Sequence, residues 1–214
     1  MASAPEAVTA SGPLTPAETD RLFKDFQRYT SLALGVSGGA DSVCLLRLLR
    51  DWQLRTGWSG RLAVFTVDHG LRAASAGEAV FVGEICRAAG VPHRTLSWAG
   101  DKPAANLQGE ARLARYRLMA AAMEREGVEA LVLAHHQDDQ AETLLLNLLR
   151  GAGVNGLAAM PESRDFHQTF LCRPLLNVPR QQLEAYANEH QLHWIEDPSN
   201  QSTVFDRNYL RHDI

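Results

Sequence analysis

Six consecutive residues, Ser37-Gly38-Gly39-Ala40-Asp41-Ser42, bring together what a phosphate-binding turn requires. Two glycines between a strand and a helix let backbone N–H groups turn toward an anion, and the helix start adds its partial positive charge. Ser37 and Ser42 supply hydroxyl donors. No lysine is present, so the Walker pattern GxxxxGK[ST] is excluded. Asp41 would repel phosphate unless a cation lay between them, which assigns it to Mg²⁺, a cation that takes oxygen ligands.

A second set is acidic. Asp138 and Asp139 are adjacent, and Glu142 follows Asp139 by three residues, so on a helix Asp139 and Glu142 share a face. Two such carboxylates can hold an ammonium or a metal; the plainer alternative is that acids favour a helix N-terminus. His69, His135 and His136 invite a water-activating di-metal centre, but that leaves the phosphate loop unexplained. Arg112 and Arg115 lie one turn apart and suit the neutralisation of phosphate charge, against the alternative of a solvated helical face. Gly151 to Gly156 matches GxGxxG, yet it follows a helix instead of a strand, so the dinucleotide reading fails. It reads as a substrate-side loop with Arg150 as a candidate phosphate ligand.

The elements that position these groups are legible from periodicity. Thr15-Pro16-Ala17-Glu18 has the form of a capping box with proline at the first helical position. Ser31–Val36 reads as a buried strand, and 40–55 as a helix through Val43, Leu45, Leu46, Leu48 and Leu49. A strand is expected over 61–67, a helix opened by a capping box at Ser75–Glu78 and running to about 89, and a strand over 92–98. Then come a helix over 106–126, a strand over 129–134 and a helix over 138–150. A loop, a helix over 178–190 and a short strand at His193-Trp194-Ile195 complete the chain. This alternation gives an α/β class: a Rossmann-like open parallel β-sheet with helices on both faces. Ligands bind beyond the carboxyl ends of such strands, where the loop at 37–42, Asp68-His69-Gly70-Leu71-Arg72 and His135-His136-Gln137-Asp138-Asp139 all fall.

Bulk properties narrow the rest. The chain has 214 residues, 45% hydrophobic and 21% charged, enough for one substantial domain over 15–214 behind a disordered leader at 1–14. No apolar run approaches a bilayer span and no signal peptide is visible, so no membrane association and a cytoplasmic location are expected. Cys44, Cys86 and Cys172 form no CxxC pair and read as core residues. The net charge is −4 with a pI of about 6.1, whereas a domain gripping RNA mainly by its phosphates should be basic.

Residues 37–42 resemble the SGGxDS loop of the ATP-pyrophosphatase, or PP-loop, superfamily, whose members split ATP between the α and β phosphates. Val67–Arg72, Leu133–Thr143, Asn106, Gln108, Arg112, Arg115 and Tyr116 resemble the tRNA(Ile)-lysidine synthetases in particular. So do Arg150-Gly151-Ala152-Gly153, Arg173-Pro174-Leu175-Leu176, Glu196-Asp197-Pro198-Ser199-Asn200 and Arg207-Asn208. The resemblance implies an adenine nucleotide alpha hydrolase-like fold. It implies a ligase that adenylates the wobble cytidine of tRNA(Ile) and then joins free lysine to it, with ATP and Mg²⁺ required. By the same resemblance Ser37, Gly38, Gly39, Ala40, Asp41, Ser42, Asp68 and His69 bind ATP; Asp41, His69, Arg115, His136 and Asp138 are catalytic; and Asp139 and Glu142 bind lysine. Arg112, Arg150, Arg173 and Arg207 contact tRNA or phosphate. The family's C-terminal tRNA-binding domains are expected to be missing, and a homodimer is left open. A tRNA thiolase on the same fold is the nearest rival, but sulfur transfer generally relies on cysteine thiolates in patterns this chain lacks; a nucleotide-binding domain without full catalysis is the other.

Overall fold

The computed structural model describes residues 12–71, 74–100, 102–103, 105–153 and 158–196. In chain order the elements are α1 (Pro16–Phe23) with a short 3₁₀ turn (Lys24–Arg28), β1 (Ser31–Gly35), α2 (Ala40–Thr56), β2 (Arg61–Asp68), α3 (Ala74–Ala89) and β3 (His93–Ser97). There follow α4 (Leu107–Glu126), β4 (Ala130–Val132), α5 (Gln137–Leu149), β5 (Ser163–Phe166), β6 (Thr169–Cys172) and α6 (Arg180–Glu189). The sheet order is β3-β2-β1-β4-β6-β5. All neighbours are parallel except the β5–β6 hairpin. The order reverses between β1 and β4, which puts the switch-point crevice at the ends of these two strands.

Alternate residues of each central strand feed two separate cores, as a sheet covered on both faces requires. Leu32, Leu34, Leu62, Val64, Ala130 and Val132 face a core shared with Leu45, Leu46, Leu49 and Trp52 of α2, Val82 and Cys86 of α3, and Leu183 and Tyr186 of α6. Ala33, Phe65, Leu131 and Leu133 face the other, built on Met119, Ala122 and Met123 of α4 with Phe166 and Leu171. The three cysteines are buried and unpaired.

Local signals account for several boundaries. The capping box at α1 forms: Thr15 Oγ1 accepts the Glu18 N–H, and Glu18 Oε2 accepts the Thr15 N–H at 2.8 Å. Other expectations are corrected. The helix expected to open behind Ser75 already includes Ala74, so Ser75 lies inside its first turn, and its hydroxyl donates to Asp68 instead. Residues 193–195 form no strand; a single Ile195 N–H to Gly38 carbonyl bond takes its place. The β5–β6 hairpin stands where a loop was expected. Its outer strand, Ser-Arg-Asp-Phe, buries only Phe166, so it lacks an apolar pattern, and its turn uses His167 at φ 54 instead of a glycine.

Helix α5 is inverted. Its buried residues are Asp139 and Glu142, whereas Leu144, Leu145, Leu148 and Leu149 are 40, 37, 57 and 73% exposed. That division predicts opposite stability responses. Leu149→Ser should change unfolding free energy by less than about 0.5 kcal/mol, whereas Leu46→Ala in the first core should cost about 2–5 kcal/mol. Urea titrations measure both, and a large loss in Leu149→Ser would mean that the leucine face is covered.

Candidate active site

The phosphate loop is held from three directions. Gly39 occupies the position before α2 with no side-chain cap, so the first-turn N–H groups of that helix stay available to an anion. Ser42 Oγ donates to the Gly39 carbonyl at 2.9 Å and accepts the Ser37 N–H at 3.2 Å. Its hydroxyl proton is therefore spent inside the loop, and Ser42 acts here as a staple. Thr66 on β2 donates to the Val36 carbonyl at 2.9 Å, and His93 Nε2 lies 2.9 Å from the same Thr66 oxygen. Because the Thr66 proton is committed to Val36, His93 is the donor in that second bond. From the third side the Ile195 N–H donates to the Gly38 carbonyl at 2.9 Å. Gly38 has φ +92, so the backbone demands glycine, and a Cβ there would also press on Ile195 Cδ1 at 3.2 Å.

At the end of β4, His136 is the node of an acidic cluster. It is only 1% exposed. Its Nε2 lies 3.5 Å from Asp41 Oδ2 and 3.6 Å from Asp139 Oδ2, and its Nδ1 lies 3.9 Å from Asp138 Oδ1. Its backbone N–H also donates to Asp139 Oδ2 at 3.0 Å. Burial, the largest single influence, disfavours the imidazolium. The hydrogen bond to Asp41 and the charges of Asp139, Asp41 and Asp138 outweigh it, and the pKa is held above the ordinary histidine value. Asp139 and Glu142 are buried, while Asp138 is exposed and accepts the Arg180 N–H at 3.4 Å. Among the described residues no three His, Cys, Asp or Glu side chains are spaced as a metal cage. Magnesium more often takes one or two carboxylates plus substrate phosphates. Asp41, beside the loop and 3.5 Å from the buried imidazole, is an oxygen donor of that kind.

At the end of β2 the chemistry is the reverse. Asp68 accepts the Gly70 N–H at 2.8 Å and the Ser75 hydroxyl at 2.7 Å, and these bonds keep its carboxyl below the usual range. Beside it, His69 Nε2 lies 3.3 Å from Arg115 Nη2, and the ring stands edge-on to Trp98 at 5.9 Å. Burial, then the charge of Arg115, pull the His69 pKa down to about 4. His69 is therefore neutral near neutral pH and accepts from Arg115. Lys102 sits over the Trp98 ring at 4.3 Å.

Since β1 lies between β2 and β4, the loop is flanked by these two groups. The structure thus gathers Ser37–Ser42, Asp41, His136, Asp138 and Asp139 on one side, and Asp68, His69 and Arg115 on the other. Arg112 and Arg150 are exposed, and Arg173 is buried. Arg72, residues 154–157, residues 197–200 and Arg207 lie outside the described residues. Thr66, His93, Ile195, Trp98 and Lys102 were missed by sequence reasoning. Only Trp98 carried a signal, as an aromatic residue at a strand end.

Two outcomes follow. Gly38→Ala should weaken ATP binding at least about tenfold, with about 1–3 kcal/mol of backbone strain behind it; unchanged affinity by calorimetry would refute the demand for glycine. His69 titrates near 6.5 when unfolded and about 4 when folded. The unfolded chain therefore takes up this proton first, and the stability it contributes is complete above 6.5 and is lost as pH falls toward 4. His69→Gln should lose less stability than the parent when urea midpoints are compared at about pH 7 and pH 5, and equal losses would contradict the shift.

Comparison with known proteins bears on this geometry. Residues 15–214 match the family described as PP-loop domain. Among curated relatives, a tRNA(Ile)-lysidine synthase from Bradyrhizobium sp. (strain BTAi1) is 44% identical over 199 residues, covering 93% of this chain and 56% of its own length. One from Pseudomonas aeruginosa is 48% identical over 178 residues, covering 83% of this chain and 39% of its own. The chain thus spans about half the length of the curated relatives it matches. Among solved structures, a U34-tRNA thiolase from Methanococcus maripaludis superposes with a TM-score of 0.77 at 20% identity, over 91% of this chain and 70% of that one. An NH3-dependent NAD synthetase from Campylobacter jejuni gives 0.53 at 14% identity, over 84% and 75%. These two share the fold. With a glycine-shaped phosphate loop at the switch point and the family match spanning 15–214, the chain belongs to the PP-loop domain family.

Proposed function

We propose that this chain is the ATP-dependent catalytic part of a tRNA(Ile)-lysidine synthetase, a carbon–nitrogen ligase that attaches lysine to C2 of the wobble cytidine. The observation that carries the reading is the inverted helix: beside a phosphate loop, α5 commits its buried face to Asp139 and Glu142. Buried carboxylates of this kind suit a cationic substrate, and lysine brings an ammonium. The curated relatives that match most of this chain bear the same activity in their names.

In the first step the cytosine O2 attacks the α-phosphorus of ATP and pyrophosphate leaves. The loop at Ser37–Ser42 holds the departing pyrophosphate through backbone N–H groups, with Asp68 and His69 beside the nucleotide. Asp41 would hold a Mg²⁺ ion, which would supply neutralisation of phosphate charge. Arg115 stabilises charge at the α-phosphate, and neutral His69 accepts from it and orients it. Asp138 and His136 hold Asp41 and the start of α5 in place. In the second step the lysine ε-amine, freed of its proton, attacks C2; the C2–O bond breaks and AMP leaves. Asp139 and Glu142 bind the incoming ammonium and so fix where the amine attacks. Little covalent chemistry falls to the protein; its part is positioning and charge stabilisation. A thiolase shares the fold, but here all three cysteines are buried and separate.

Pyrophosphate release with tRNA or lysine omitted in turn, and mass analysis of the nucleoside, test the proposal. Asp41→Ala should abolish adenylation; ordinary release would end the Mg²⁺ assignment. Asp139→Asn and Glu142→Gln should slow the second step by orders of magnitude, as truncating one member of a desolvated pair costs about 2–5 kcal/mol. The adenylated tRNA should then accumulate. Loss of adenylation with intact lysine binding would instead give these acids to Mg²⁺.

A further inference from the structure

A glycine inside a helix weakens it relative to alanine, so Gly83, in the middle of α3, calls for a reason. The first residue of β3 supplies one. A Cβ at Gly83 would stand 3.2 Å from His93 Nδ1 and 3.7 Å from its Cε1. The missing side chain leaves the space in which the imidazole lies. The ring is also fixed in orientation. Thr66 has a single hydroxyl proton, which goes to the Val36 carbonyl at 2.9 Å, so His93 Nε2 donates to the Thr66 oxygen, likewise at 2.9 Å. Burial holds the His93 pKa below the ordinary histidine value, so near neutral pH the ring carries one proton, on Nε2. Thr66 itself is only 3% exposed. Val36 is then held at both polar groups, because its N–H donates to the Phe65 carbonyl at 3.0 Å. Ser37, the first residue of the phosphate loop, follows directly. His93 opens β3 at its amino end, opposite Val64 of β2, whereas the crevice lies beyond the carboxyl ends. It therefore stands behind the loop, two hydrogen bonds away from it.

We propose that His93 is a positioning residue for the nucleotide: acting through Thr66, it sets where the Val36 carbonyl lies, and so where the turn after it presents its N–H groups to phosphate. A threonine hydroxyl that only donates can choose among rotamers. Once its oxygen also accepts from a seated imidazole, the rotamer aimed at Val36 is selected. A site that works by positioning is sensitive to such choices, since a misplacement of roughly 1 Å can cost about a hundredfold. The emptiness at Gly83 keeps the ring where this requires. The assignment rests on the reading that the loop binds the phosphates of ATP, and is indifferent to which nucleophile follows.

Calorimetry of this chain with ATP and Mg²⁺, run beside urea titrations, tests the relay through a double-mutant cycle. His93→Phe keeps a ring and removes the donor, and ATP affinity should fall about three- to tenfold, the worth of one ordinary hydrogen bond. His93→Gln, which retains an N–H donor, should recover part of that loss. Thr66→Val should weaken ATP binding at least as much as His93→Phe, whereas Thr66→Ser, which keeps the hydroxyl, should bind like the parent. In the Thr66→Val background His93→Phe should add nothing, since the relay is already cut. A histidine that only stabilises the fold would lower the urea midpoint and leave the ATP affinity of the folded chain at the parent's value; that result in His93→Phe would overturn the proposal. So would an equal loss from His93→Phe with and without the Thr66 hydroxyl, which would mean that His93 acts by another route. Should Thr66→Val not fold, His93→Phe and His93→Gln decide the matter, and equal losses in the two would count against the donor. If the parent binds ATP and His93→Phe matches it, this assignment alone falls. If the parent does not bind ATP, the phosphate-loop reading falls and takes the assignment with it.

Discussion

A loop that offers backbone N–H groups to an anion must leave those groups unpaired, so it cannot hold its own shape by the usual hydrogen bonds. In this chain the Ser37 N–H is tied to Ser42 Oγ, and the rest of the difficulty is met by securing the carbonyls. The Val36 carbonyl takes Thr66, the Gly38 carbonyl takes the Ile195 N–H, and the Gly39 carbonyl takes the Ser42 hydroxyl. Each anchor comes from a different part of the sequence: the neighbouring strand, the segment after α6, and the first turn of α2. The N–H groups at the start of α2 remain uncapped as a result. The parallel pairing of β1 with β2 and the packing of α6 on α2 have a common consequence, which is that three anchors reach one turn.

The two histidines that flank this loop show how one crevice maintains opposite proton affinities. His136 is more deeply buried than His69, and burial alone would make it the poorer base. The outcome is the other way round, because three carboxylates surround it and an arginine faces His69. Neighbouring charge wins over desolvation at His136 and reinforces it at His69. A cation is thus favoured beside Asp41 and disfavoured beside Arg115.

What could be read in the sequence follows from how local each cause is. The glycine pair, the two serines and the aspartate of the loop announce themselves because loop chemistry is written in consecutive residues. The buried strands are legible because both faces are covered, which leaves runs such as Leu32-Ala33-Leu34 uniformly apolar. The β5–β6 hairpin was not legible. As the edge of the sheet, β5 keeps Ser163, Arg164 and Asp165 in solvent, and that composition matches a loop. The short strand expected at 193–195 fails for a related reason: Trp194 is apolar because it packs on the first core and Ile195 because it lies against Gly38, not because they pair in the sheet. Thr66 and Ile195 bond to the turn from 30 and 157 residues away, at Val36 and Gly38, and His93 reaches it only through Thr66, so no spacing rule extends that far.

Helix α5 is where local rules and tertiary demands diverge most. Its leucine content would ordinarily turn the apolar stripe to the core. The sheet's second face is instead filled by Met119, Ala122 and Met123 of α4, which leaves α5 little apolar surface to bury against. Its orientation is then set by its N-terminus. His136 is fixed among Asp41, Asp138 and Asp139, and a reciprocal capping box ties Asp139 back to the His136 N–H. Gln140 adds a two-way clamp to the Met160 backbone, at 2.7 and 2.8 Å. With its first turn held by polar contacts, the rest of the helix follows rigidly, and periodicity carries the inward face from Asp139 to Glu142 while the leucines turn outward. The acids are buried because the helix is aimed by its cap, and the exposed leucines are the structural counterpart of that aim.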